Sequence, residues 1–118
     1  MATDQMKFLV LFQIPAAVMD GWAKTDPAEK KAAEDKLKGE WDRWMSEHAS
    51  LFISIEAAGK TKRVTAEGAA DARNDIIIAS IVQAESHEAA AKAFENHPHF
   101  QIPQASIEIM PLRPMGGM

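Results

Sequence analysis

His97-Pro98-His99, followed directly by Phe100, is the densest group of chemistry-bearing side chains in this chain. In an extended segment a His-x-His pair can present both rings to one ligand, and imidazole is the side chain best matched to proton transfer near neutral pH. A metal site usually needs a third protein ligand. No second histidine cluster or carboxylate pair stands at ligand spacing, so no metal is expected. The structural alternative is that His97 tops the C-terminus of a helix, where the carbonyl end stabilises a partly charged ring.

Glu108 is the second candidate. It alternates with Ile107 and Ile109, so if the isoleucines face a core, then Ser106, Glu108 and Met110 face the other way. A carboxylate walled by apolar groups can act as a general base; a solvated or ion-paired edge residue is the alternative. Trp22 lies outside any periodic stripe, next to the Asp20-Gly21 break, and is a candidate pocket wall or subunit contact. Trp41 and Trp44 sit at core spacing, and packing accounts for them. Lys60, Lys62 and Arg63 read most simply as solvated edge charges, with Arg63 the fork-shaped donor should an anion bind. The expected site is therefore catalytic His97, His99 and Glu108, with Trp22, Arg63 and Phe100 contacting a ligand.

Other chemistries are missing from the sequence. There is no cysteine, which excludes disulfides, thiolate catalysis and sulfur-based zinc sites, and no tyrosine to act as a phenolic acid. No Gly-rich phosphate loop, nucleophile elbow, dinucleotide fingerprint or EF-hand occurs, and no cofactor is expected. A net charge of -4 and a pI near 5.5 offer no long-range attraction to nucleic acid or an acidic membrane. The apolar run at residues 8–12 is too short for a signal peptide and no segment reaches the length of a membrane span, so a cytoplasmic location is expected.

The elements that must position these residues follow from hydrophobic pattern. With 118 residues, 47% apolar and 25% charged, the chain is expected to form one soluble domain. Residues 7–14 (KFLVLFQI) and 75–82 (DIIIASIV) are apolar at nearly every position, whereas 61–65 and 106–110 alternate or carry charge. A strand apolar at both parities needs cover on both faces; an alternating strand needs it on one. Asp26-Pro27-Ala28-Glu29 places a capping carboxylate, a first-turn proline and a glutamate at the start of a helix running to about His48. Its apolar stripe is Ala33, Leu37, Trp41, Trp44, Met45 and His48, and close approach to a sheet would explain Gly39 within it. Ser86 caps a second helix that Pro98 ends. Residues 16–24 read as a loop or a short helical turn. Residues 51–58 read as an irregular connection, with a strand as the alternative, and 67–74 as a hairpin loop.

With residues 59–65 as the second strand, the order is β-α-β-β-α-β. Right-handed crossovers give a ferredoxin-like sheet in the order 4-1-3-2, two helices on one face, with the doubly apolar strands central. Two helices cover only one face. The other requires a partner subunit.

In this order the residues resemble the YCII-related domain family, including its DGPF-like members, of the dimeric α+β barrel superfamily. The resemblance rests on residues 6–12, the Trp41/Trp44 helix, 59–64, 84–90, and the late His97-Pro98-His99 followed by 105–109. It implies a single YCII-like α+β domain over 1–112 with a tail at 113–118. It also implies a homodimer whose sheets pack face to face, with pockets between sheet and helices or at the seam. A histidine–aspartate dyad proposed for some compact members is not carried over, since no histidine precedes His48. Glu67-Gly68-Ala69-Ala70 stands where the DGPF tetrapeptide would be. The implied activity is that of a small metal-independent enzyme, of isomerase or lyase type, acting on a hydrophobic or aromatic-derived metabolite. A non-catalytic dimeric binding or accessory module is the alternative, and a cofactor-free monooxygenase a third possibility.

Overall fold

The computed structural model describes residues 5–115; the N-terminal Asp4 and the last glycines of the tail lie outside them. Nine regular elements follow one another: β1 (Met6–Gln13), α1 (Ala16–Ala23), α2 (Pro27–Glu47), β2 (Phe52–Ala57), β3 (Thr61–Thr65), β4 (Gly68–Ala72), β5 (Ile76–Ala84), α3 (His87–Ala93) and β6 (Ser106–Pro111). Single 3-10 turns at Ala49–Leu51 and Pro98–Gln101 complete the α+β arrangement.

β1 and β5 form the centre of a four-stranded antiparallel sheet in the order β2-β5-β1-β6. These are the two strands whose apolar residues occupy both parities. One face is sealed: Phe8, Val10, Phe12 and Val82 are fully buried, and Trp44 of α2 with Ala90 of α3 packs over them. On the same face Ser80 is buried, its hydroxyl donating to the Val10 carbonyl at 3.3 Å.

Two caps act as the residue types dictate. Asp26 accepts from the backbone N–H groups of Ala28 and Glu29, with Pro27 in the first turn, and the Ser86 hydroxyl accepts from Ala89 N–H at 3.0 Å.

The edge of the sheet departs from expectation. Phe52–Ala57, not residues 59–65, pairs with β5, because Phe52 and Ile55 carry apolar area onto the core side. Thr61–Thr65 pairs instead with Gly68–Ala72, inside the segment expected to be loop, as a separate two-stranded hairpin. Gly68 turns that hairpin with φ 120, a conformation open to glycine alone at ordinary cost. Of the two readings of residues 16–24, the helical one holds, and it extends to two turns. An α-helix of eight residues is marginal by itself, and α1 is held from outside. Asp75 Oδ1 accepts from Ala16 N–H, and Arg73 donates to the Ala16 carbonyl and to Asp20.

Gly39 has no close approach to explain it. It is exposed, and a Cβ built there meets nothing within 4 Å. Gly39→Ala is therefore expected to stabilise the fold by about 1 kcal/mol, read as a higher urea midpoint at unchanged slope.

The molecule is a slab of 53 × 45 × 19 Å with a radius of gyration of 16.8 Å. A compact domain of this length has a radius near ~13.5 Å. No helix among the described residues is long and apolar enough to cross a membrane.

Candidate functional site

The 3-10 turn at Pro98–Gln101 carries the two candidate histidines inward. His97 is 2% exposed and His99 fully buried. His97 Nδ1 accepts from the His99 backbone N–H at 2.9 Å, so in the neutral ring the proton is on Nε2. His99 Nε2 lies 3.0 Å from the Gln13 carbonyl and 3.1 Å from that of Ser106; two acceptors require the proton there. Gln13 and Ser106 are paired residues of β1 and β6, so His99 pins the turn to the end of the sheet. Their remaining nitrogens, His97 Nε2 and His99 Nδ1, have no hydrogen-bond partner among the described residues.

Aromatic rings enclose the pair. His97 lies edge-on to Trp41 at 4.6 Å and tilted against Trp44 at 4.3 Å, and Phe12 stands 5.2 Å from His97 and 5.3 Å from His99. Burial pushes His97 down to about 4, helped by the neighbouring His99 and His48; burial also lowers His99, opposed by its two carbonyl bonds. Both rings are neutral at neutral pH. Neither borders the two clefts described below. The other two histidines are also tied to backbone: His48 Nδ1 to the Trp44 carbonyl and His87 Nε2 to that of Ile109, each at 2.8 Å.

Glu108 is on the opposite side of the sheet. Ile107 and Ile109 pack against the core, and Glu108 stands beside Leu11 on the uncovered face. It accepts a 2.6 Å hydrogen bond from Gln13 Nε2. Around it the open face presents half-buried Leu9, Leu11, Ala79, Ile81 and Met110. The expected triad of His97, His99 and Glu108 is thus split by the sheet, with the histidines in the core and the carboxylate outside.

The ligand candidates are likewise dispersed. Trp22 is half-buried between the first two helices, its indole N–H 3.4 Å from Glu34 Oε2. Arg63 is exposed on the hairpin and lines neither cleft. Phe100 is 47% exposed and borders a shallow depression of about 440 Å³, with Phe94, Asn96, Ile107 and Ile109.

The larger cleft, about 660 Å³, opens at the root of the hairpin between α1 and the start of β5. Sequence pattern singles out Lys60 and Lys62 as edge charges but does not bring the cleft's residues together. Arg73 and Asp20, joined by a 2.9 Å ion pair, stand 53 positions apart, and no local pattern links them. Among the described residues no three metal-binding side chains cluster.

The fold and these sites define an α+β protein with one covered and one uncovered sheet face. In comparisons with known proteins, no family model matches the chain, and no curated protein does either.

Proposed function

We propose that this chain is a YCII-related protein of the ferredoxin-like, dimeric α+β barrel kind, and that it works as a homodimeric binding module for a small hydrophobic or aromatic-derived metabolite. The observation that carries the reading is the open sheet face. Leu9, Leu11, Ala79, Ile81 and Met110 form a continuous apolar surface that neither α2 nor α3 reaches. The accessible surface is 8528 Å². A compact monomer of this mass exposes about 6,300 Å². The exposed hairpin accounts for part of the difference and the open face for part, and a standard stable interface removes roughly 800 Å² per partner. A second copy placed sheet to sheet supplies an isologous, self-complementary cover.

Closure leaves Glu108 and Gln13 as a polar pair in an apolar seam, where they orient a ligand carrying a hydrogen-bonding group. The seclusion of His97 and His99 in the core favours binding over catalysis by imidazole. A metal-independent isomerase or lyase is the second reading. It is favoured by one observation, that Glu108 is held by a single amide and faces the surface to be enclosed, as a general base would be.

Sedimentation at micromolar concentration tests the assembly. The chain is expected to run as a dimer, and Leu11→Lys as a folded monomer with an unchanged far-ultraviolet spectrum. A stable wild-type monomer overturns the reading. A thermal-shift screen of aromatic acids and lactones against the wild type and Glu108→Gln then separates the two functions. Turnover abolished in Glu108→Gln with binding retained establishes the enzyme.

A further inference from the structure

The cleft at the root of the hairpin, at the end of the sheet, has a chemistry of its own. Its floor is apolar, built from Ile14, Met19, Ile76 and Ile77. Its rim carries three cations, Lys60, Lys62 and Arg73. Two of these are already compensated: Lys62 Nζ lies 2.6 Å from Asp71 Oδ1, and Arg73 grips Asp20 with both guanidinium nitrogens at 2.9 and 3.4 Å. Lys60 makes no ion pair among the described residues. The cleft therefore has one uncompensated positive charge above an apolar floor, in a volume of about 660 Å³. Small-molecule sites commonly run from about 300 to 1,000 Å³, mostly apolar with a few placed polar groups.

We propose that this cleft binds a small monocarboxylate with an aliphatic body, Lys60 pairing with the carboxylate and Met19, Ile76 and Ile77 receiving the chain. A dianion is a poorer match, because the second charge would have to take Lys62 from Asp71 or Arg73 from Asp20. A neutral amphiphile leaves Lys60 unpaired. The hairpin contributes Thr61, Lys62, Asp71 and Ala72 to the lining, so an occupied cleft also anchors a ribbon that is otherwise exposed along nearly its whole length. The cleft adjoins the open face, where Ile76 is paired with Gln13, but its test uses none of the residues that test the assembly.

The experiment is a titration of the full-length protein with hexanoate, followed by the methyl resonances of Ile14, Met19, Ile76 and Ile77, beside parallel titrations with hexanamide and adipate. Saturable shifts confined to these methyls are expected with hexanoate. Hexanamide is expected to bind more weakly, as is hexanoate to Lys60→Met, by about fivefold for loss of one exposed ion pair, and adipate more weakly because its second carboxylate finds no free cation among the described lining residues. Met19→Glu, at a position 39% exposed and so tolerant of a charge, is expected to abolish binding. Absence of saturable shifts, binding of hexanamide or adipate as tight as that of hexanoate, or unchanged hexanoate affinity in Lys60→Met would each overturn the proposal.

Discussion

Lowering the pH from 7 to 4 is expected to remove about 3 kcal/mol of folding stability through His97 alone, with His99 adding to the loss. Burial holds His97 neutral down to about 4, whereas in the unfolded chain it takes up a proton near 6.5. Between those values the unfolded state binds more protons than the folded one, so stability falls as the pH falls. Above about 6.5 both states are neutral and the contribution is flat; below about 4 both are charged and the loss is complete. Asp20, whose carboxyl is held below its ordinary 3.8 by hydrogen bonding and attraction from Arg73, is protonated only under more acid conditions, so the two effects separate along the pH axis.

Urea denaturation at successive pH values checks this. His97→Asn is the diagnostic variant, because its side-chain oxygen can still accept from the His99 N–H but cannot titrate. It is expected to be less stable than wild type at pH 7, from lost ring packing, yet to show a shallower decline between pH 6.5 and 4. A slope equal to that of wild type would remove His97 as the cause.

Phe12→Ala is expected to be the most damaging single substitution in the core, at about 3–5 kcal/mol. Phe12 is fully buried on β1, against Trp41 of α2 and the aromatic residues that follow α3. Its ring lies 5.4 Å from Trp41, 6.0 Å from Phe94, 5.2 Å from His97 and 5.3 Å from His99. Truncation removes the aromatic area and opens a cavity beside two histidine nitrogens that already lack hydrogen-bond partners. Access of water to them should weaken the acid sensitivity at the same time. The same denaturation series run on Phe12→Ala and Phe12→Leu measures both effects: the leucine variant should retain more of the stability and most of the pH slope. A loss below about 1 kcal/mol for the alanine variant would mean that the layer repacks around the gap.

Several features were legible in the sequence because a local rule dictates them. Apolar residues at both parities marked β1 and β5 as central, and alternation set Glu108 opposite Ile107 and Ile109, while only the packing of the isoleucines decided which side faces the core. Asp26 and Ser86 each supply an oxygen that satisfies helix N–H groups, wherever the helix then packs. The edge strand was less legible. Residues 52–57 and 61–65 are both short segments capable of extending, and local pattern does not rank them. The sheet took the one bearing Phe52 and Ile55, whereas the segment bearing Lys62, Arg63 and Val64 closed on itself through Gly68. Helix α1 stayed ambiguous between a loop and a helical turn for a related reason. Its Asp20-Gly21 step argues against a helix locally, and the groups that hold it, Arg73 and Asp75, arrive from the far end of the hairpin.

The histidines show the same division. Their residue type announced proton chemistry, but the direction in which a side chain points depends on what it packs against, and His97 and His99 point into a box of rings assembled from β1, α2 and the segment after α3. By itself the sequence determined which strands lie at the centre, where two of the helices begin, and which residue types are at hand for chemistry, since each follows from the period and the capping groups of a contiguous stretch. Tertiary structure alone decided which strand completes the sheet, that Glu108 and the histidines are separated by it, and that Lys60 stands uncompensated above an apolar floor. Those outcomes depend on groups far apart in the chain competing for the same buried area and the same charges, and no contiguous stretch contains that competition.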